Sequence, residues 1–431
     1  MKSSPNFNML MDFPEPRRRR KEIVEDLCSG KTVIWIFPYQ VNLKVCWQRV
    51  ADECDNVGFD SKIIRIDPDN FKSPINLIAQ QCGIPFESNH QTDINYLIRN
   101  EDLPQILIID GINGLAQEQF DIWKRFIDEW TQMTRMESES TSFLKTLFVP
   151  MHYLEQVNTI HEDVYLRVHY YWAWYGSNEI NMIAHHYAYE LGFEPDVLGW
   201  AESVIVEIAG SDLDLMEYLF CGLEGKDKSV AMVIESLSQY GKEEKAWTIQ
   251  TLADIDNITK GKMSSFRWEE RIAKPSPRLG RLWAEGIIAS SNKDEIAVNS
   301  AALALKGYLD PIYHRIWRGQ SRVLLPMLDM ERMDLCQYLN VRFPQWSSQI
   351  DINNGGLLCS IKNQGDPVGE YGDILTFLVN KQNRTQKHQE LIACVDFLRR
   401  CRNNMAHYSP IDFGEFVSLR KKLYKTSKMI S

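Results

Sequence analysis

Thr32-Val-Ile-Trp-Ile-Phe37 followed by Pro38-Tyr-Gln-Val-Asn-Leu43-Lys44-Val45 is the stretch that decides the fold class. Six consecutive β-forming residues, none charged, predict a strand buried on both faces, the habit of strands in parallel sheets. Outward from it, Lys62–Ile66, Ile106–Ile109 and Thr146–Val149 read as three more strands. Helical spacing fills the intervals: Leu43–Asn56 places Leu43, Cys46, Trp47 and Val50 on one face, and Ile75–Cys82 and Phe120–Met133 follow suit. Upstream, Lys21–Cys28 reads as a helix. Strands alternating with helices predict a mostly parallel α/β sheet with right-handed crossovers over residues 1–150.

A chain of 431 residues holds roughly two to four domains. Hydrophobic residues at 44% and charged residues at 25% exclude a disordered or collagenous chain. Nine cysteines with no Cys-x-x-Cys pair exclude a disulfide scaffold and a zinc knuckle; no metal and no cofactor are expected. Without a run of 18 apolar residues no transmembrane helix is expected. The Arg17–Lys21 cluster follows the apolar residues of the N-terminus, the reverse of a secretory signal, and cysteines spread singly along the chain fit a reducing cytoplasm, the expected compartment. The net charge of −10 conceals an asymmetry. From Arg384 onward ten Lys or Arg face four Asp or Glu, an excess of +6, which leaves −16 on the rest.

The first 150 residues resemble a P-loop NTPase of the AAA or STAND type, in a degenerate form. A phosphate loop needs Gly-x-x-x-x-Gly-Lys-Ser/Thr, so that backbone N–H groups wrap phosphates, the lysine pairs with their oxygens and the hydroxyl binds magnesium. Here Lys44 alone remains: Pro38 and Leu43 stand at the glycine positions and Val45 at the hydroxyl. Asp110 ends the third strand where a Walker-B acid belongs, but Gly111 follows it where a second acid would activate water. The resemblance implies a scaffold or partner-binding fold that lost its ATPase chemistry, with nucleotide binding at Lys44 and Asp110 as the lesser alternative.

Residues 151–280 read as a helical domain, similar to the lid or winged-helix module that follows such cores. Within it, Tyr165, His169, Tyr170, Tyr171, Trp172, Trp174 and Tyr175 predict a buried strand–helix junction, since only Arg167 accompanies them as a cation. His186 and Glu190 share a helix face, but the His-Glu-x-x-His order of a zinc protease is absent. Helical spacing continues over Ala201–Leu223 and Val230–Tyr240, and Ala273–Gly280 reads as a linker. Residues 281–431 read as a further helical domain. Its expected helices are Leu282–Ser290, Ile296–Tyr308, Ile312–Leu324 (capped by Asp310 with Pro311 at its start and limited by Pro326), Met327–Leu339, Asp373–Lys381 and Lys387–Asn404. Asp351–Gly356 and Lys362–Pro367 read as loops. The Arg315, Trp317, Arg318, Gln320 and Arg322 set fits a helix–helix seam or a polar contact surface.

The last helix carries Leu398-Arg-Arg-Cys-Arg402-Asn403-Asn404-Met405-Ala406-His407-Tyr408-Ser-Pro410-Ile411. This Arg-x-x-x-x-His string, with Asn after the arginine, resembles the signature of the HEPN superfamily of helical bundles, many of them metal-independent RNases. Asp412 and Glu415 then form an N-cap and capping-box pattern. The resemblance implies that His407 transfers a proton, Arg402 pairs with the scissile phosphate and Asn403 orients the substrate. It also implies a homodimer through this domain, with Arg399, Arg400, Lys421 and Lys422 as RNA contacts. Such pairings resemble prokaryotic conflict and antiphage defence proteins, so other protein subunits are expected partners. Three readings stay open: a ribonuclease effector on an inactivated NTPase-like scaffold, a non-enzymatic adaptor that docks onto an active ATPase or nuclease, and no HEPN relation at all.

Overall fold

The computed structural model describes residues 11–85, 94–137, 145–172, 175–193, 195–223, 229–259, 265–267, 275–292, 295–349, 359–360, 367–381 and 385–430. In chain order the first part runs α1 (Pro14–Cys28), β1 (Thr32–Phe37), α2 (Leu43–Asn56), β2 (Ser61–Arg65), α3 (Pro74–Cys82), α4 (Ile94–Ile98), β3 (Ile106–Asp110), α5 (Gln117–Glu137), β4 (Thr146–His152) and β5 (Leu166–Tyr170). The middle runs α6 (Ser177–Glu190), α7 (Pro195–Ala209), α8 (Leu213–Leu223), α9 (Val230–Gln239), α10 (Asp254–Thr259), β6 (Ser265–Arg267), α11 (Pro277–Ala284), β7 (Ile288–Asn292) and β8 (Glu295–Val298). The remainder is α12 (Ser300–Lys306), α13 (Leu309–Arg342), β9 (Cys359–Ser360), β10 (Pro367–Val368), α14 (Tyr371–Asn380), α15 (Gln386–Ala406) and α16 (Phe413–Ile430). The chain divides into two compact units, Met1–Glu179 with Ser265–Val298, and Ile180–Ser264 with Asn299–Ser431.

The first unit is built on a parallel sheet of order β2-β3-β4-β1-β5. All six residues of β1 are buried, as an uninterrupted apolar run requires when both faces are covered. Its Trp35 and Phe37 rings lie 4.4 Å apart and Phe37 meets Tyr171 at 5.2 Å. The aromatic segment is therefore sheet: β5 pairs with β1, and Tyr170, Trp172 and Tyr175 are buried beside it. Trp174 lies outside the described residues. The compact unit thus runs to 179, past the expected boundary at 150, because the fifth strand belongs to the sheet. It is rejoined by 265–298, where β6, β8 and β7 form an antiparallel sheet.

This second sheet corrects two expected helices. Leu282–Ser290 and Ile296–Tyr308 are instead the end of α11, the strands β7 and β8, and the short α12. Ile296 and Val298 are fully buried and alternate, and a run that short fits strand and helix spacing equally. The expected linker is also revised where it is described. Pro277 begins α11, a position where its missing N–H costs nothing, and Gly280 lies where a Cβ would stand 2.3 Å from the Tyr153 ring. Residues 273 and 274 lie outside the described residues, as do the expected loops at 351–356 and 362–366.

The second unit is mainly helical, with the short β9–β10 pair within its span and α13 as the longest of its described elements. Pro326 does not end it: one helix of 34 residues spans both expected ones. The lost backbone bond and ring clash cost roughly 3 kcal/mol, offset by burial of Leu324, Leu328, Leu335 and Leu339 on the core side. The helix starts after Tyr308, so Asp310 and Pro311 lie inside its first turn. Gly319 allows α13 to cross α7 at backbone contact, since a Cβ there would stand 2.6 Å from the Ser203 oxygen and 2.8 Å from the Val204 Cα. Arg318 and Arg322 both pair with the buried Glu207 of α7, so these members of the arginine set form a seam. His185 meets Glu202 at 2.6 Å, a hydrogen-bonded histidine on α6.

Two expectations follow for stability. Gly319→Ala forces α13 off α7 and lowers unfolding stability by about 1–3 kcal/mol, the usual cost of overpacking, read from urea denaturation. Glu331 on α13 is buried with one carboxylate oxygen unpartnered, and burial followed by Asp334 pushes its pKa up to about 7. Between the ordinary carboxyl range and pH 7 the folded state holds a proton that the unfolded chain has lost, so Glu331 costs stability as pH rises. Glu331→Gln is therefore expected to raise the melting temperature at pH 8 and leave it nearly unchanged at pH 4.

Candidate functional site

The loop from β1 to α2 holds the stretch compared above with a phosphate loop, and three of its backbone donors are taken. The Tyr39 N–H donates to the Ala284 oxygen at 3.0 Å and the Val41 N–H to the Pro38 oxygen at 3.2 Å. The Lys44 N–H donates to the Asn42 side chain at 3.1 Å, so Asn42 is the N-cap of α2. From the end of β4, the His152 ring holds the Val41 carbonyl at 3.0 Å. Asn113 grips the His152 backbone through both its amide atoms, at 3.2 and 2.9 Å. Lys44 itself is exposed. Asp110 ends β3, its carbonyl accepting from the Ile66 N–H at 2.9 Å. Gly111 has φ +101°, and a Cβ there would stand 2.8 Å from the Ile66 oxygen. The residue after Asp110 is thus held to glycine by backbone contact, and no acid can stand there without moving β2's end. The Tyr39, Val41 and Lys44 N–H groups thus serve to hold the turn and cap α2.

The Arg-x-x-x-x-His string occupies the last turn of α15. Leu398, Cys401 and Met405 face the core, which turns the residues between them outward. Arg402 is half-exposed, and Asn403, Asn404 and His407 are exposed. Burial, with Glu415 next, pushes the Cys401 thiol up to about 12, which excludes it as a nucleophile near neutrality. Arg402 reaches Glu370, the N-cap of α14, at 3.5 Å with both side chains near half exposure. A pair so exposed contributes at most about 1 kcal/mol, so an incoming phosphate can replace the carboxylate. Five residues along a helix turn about 140°, so Arg402 and His407 of one chain address different sides.

The turn after α15 is held by side chains from α13. His407 is the C-cap, its N–H shared between the Asn403 and Asn404 oxygens at 3.1 Å. The Ser409 N–H reaches the Asn404 oxygen at 3.0 Å, closing a Schellman-type turn. Tyr408 takes the left-handed position, φ 59°, where glycine is usual, and a tyrosine there costs about 1–2 kcal/mol. Trp317 donates its indole N–H to the Met405 carbonyl at 2.7 Å, satisfying one of the helix's terminal acceptors. The buried Gln320 amide clasps Ile411 in both directions, at 2.7 and 2.9 Å. The Asp412 carboxylate accepts from the Val230 N–H at 3.3 Å, docking the turn to α9.

The basic residues divide into two sets. Arg399 and Arg400 both lean on Asp396 of their own helix, at 3.0 and 3.5 Å, and Lys425 on Glu390 at 2.8 Å. Lys421 is exposed and Lys422 partly so on α16. Sequence reasoning did not single out Glu370, His314 or Tyr408, which line the motif. Tyr408 had a readable signal, a helix stop without glycine, whereas Glu370 comes near Arg402 only through the packing of α14 on α15. Among the described residues no group of three or more His, Cys, Asp or Glu could hold a metal ion. Nor is any helix of these residues long and apolar enough to cross a membrane.

No protein-family model and no curated protein matches the chain. Among solved structures it is similar to the Aeropyrum pernix ORC2 protein, with 16% identity over 71% of this chain and 94% of the other, at a TM-score of 0.32. It is similar to the Thermotoga maritima RuvB Holliday junction branch migration motor, with 11% identity over 67% and 94%, at 0.30. A signal transduction ATPase with numerous domains from Pyrococcus horikoshii is 10% identical over 97% of this chain and 64% of its own, at 0.20.

Titration calorimetry with Mg-ATP checks the closed loop. No binding heat is expected from the wild type, and none is lost in Lys44→Ala.

Proposed function

We propose that the C-terminal helices are a metal-independent RNA-cleaving module of the HEPN type, active as a homodimer, on an NTPase-like α/β unit that serves as scaffold. One observation carries this reading: Arg402, Asn403 and His407 remain accessible at the end of a helix that buries Leu398, Cys401 and Met405 on its other face. Two copies facing each other about this turn would bring one chain's Arg402 toward the other's His407, which a single helix keeps about 140° apart.

In that arrangement a histidine takes the proton of the ribose 2′-OH as its oxygen bonds to phosphorus. The P–O5′ bond breaks, and the second copy's histidine protonates the leaving 5′-oxygen. The product ends are a 2′,3′-cyclic phosphate and a 5′-hydroxyl. The guanidinium of Arg402 holds the charge that builds on the phosphoryl oxygens, and Asn403 orients the strand. Lys421, Lys422, Arg399 and Arg400 supply the backbone-neutralising charge. Such an effector suits a prokaryotic antiphage or conflict system, with other protein subunits acting as trigger. Incubation with single-stranded and transfer RNA in EDTA tests it. Cyclic-phosphate ends are expected from the wild type, and His407→Ala and Arg402→Ala each lose at least about 100-fold, as for removal of an acid–base or charge-stabilising group. Equal inertness of wild type and His407→Ala in the presence of the partners would overturn the reading.

The pairing of Arg402 with Glu370 and the closed β1–α2 loop favour a second reading, an adaptor without chemistry that docks onto an active ATPase or nuclease. It expects a stable complex whose activity is unchanged by the double variant Arg402→Ala/His407→Ala.

A further inference from the structure

We infer that Tyr408, backed by Trp317 and His314, is a stacking platform for an unpaired base of single-stranded RNA; this rests on the RNA reading above and names the form of substrate its site takes. The first support is the backbone. Tyr408 stands in the left-handed conformation at the position following the helix C-cap, where glycine fits without strain. A strained tyrosine in a turn that glycine would close more easily points to a use for its ring.

The second support is the setting of that ring. Trp317 lies 4.6 Å from it and His314 6.1 Å away at an interplanar angle of 27°, while His314 and Trp317 are 5.3 Å apart. The three rings form one patch shared by α13 and the turn. Trp317 is oriented by its bond to the Met405 carbonyl, so the backing ring is set in place before any ligand arrives. Even so packed, Tyr408 keeps 63% of its surface exposed, enough for a base to cover.

The third support is position. Tyr408 is the residue after His407, so a base on its ring brings its own ribose and phosphate to the proposed proton-transfer group. The surrounding segment carries the +6 excess, which favours a polyanion over an apolar protein surface. Stacking on an aromatic ring requires an unpaired base, since a duplex hides base faces.

Fluorescence anisotropy on the full-length chain in the His407→Ala background, where nothing is cut, tests this. The probes are a labelled single-stranded RNA, the same strand with abasic sites, and the matching duplex. The single strand is expected to bind about tenfold or more tighter than the abasic strand and the duplex. Adding Tyr408→Gly, which also relieves the backbone strain and so folds, should abolish that preference, and Tyr408→Phe should keep it. Equal affinity for intact and abasic strands overturns the platform while RNA binding itself stands. No RNA binding by the His407→Ala chain overturns the platform together with the RNA reading. If Tyr408→Gly turns a dimer into a monomer in sedimentation and leaves base preference intact, the patch is an interface between copies and the inference is wrong.

Discussion

The second unit depends on one close approach, that of Gly319 on α13 to the backbone of Ser203 and Val204 on α7. Helix axes come this near only where one of them lacks a side chain, and the contact then sets the height of everything else α13 carries. One residue along, Gln320 is buried and clasps the backbone of Ile411. Two residues before Gly319, Trp317 caps α15 through the Met405 carbonyl. One turn of α13 therefore holds the crossing, the cap and the clasp. The turn bearing His407 and Tyr408 is positioned by these bonds more than by its own sequence.

The two units differ in what their helix ends leave open. In the first, the loop between β1 and α2 is held by side chains: Asn42 accepts from the Lys44 N–H at the start of α2, and His152 from the end of β4 holds the Val41 carbonyl. A helix N-terminus is a ready anion site only while its N–H groups are open, and here a side-chain oxygen competes for them. In the second, cations and an imidazole stay accessible on a helix end. The charge asymmetry between the acidic body and the +6 segment follows the same division.

Much of the α/β unit was legible because its signals are local. An unbroken β-forming run such as 32–37 has few alternatives, and helices such as 43–56 announce themselves by apolar spacing. What misled were short segments in which two periods fit. Ile296 and Val298 alternate as a strand must, yet also fall within a helical pattern, and only pairing with β6 and β7 resolves them. Pro326 misled for another reason. A proline penalty is local, while the burial that outweighs it comes from residues distant in sequence.

The sequence by itself determined the parallel α/β class, the absence of a Gly-x-x-x-x-Gly-Lys-Ser/Thr loop after the first strand, the basic end, and the Arg402–His407 string. Each is written in residue types at fixed spacing. Tertiary structure alone decided that a fifth strand closes the sheet, that Glu370 meets Arg402, and that Tyr408 lies on Trp317 and His314. These depend on residues from 32 to 134 positions apart in the chain. Spacing specifies which face of its own helix or strand a side chain takes, whereas a partner across the core is chosen by packing.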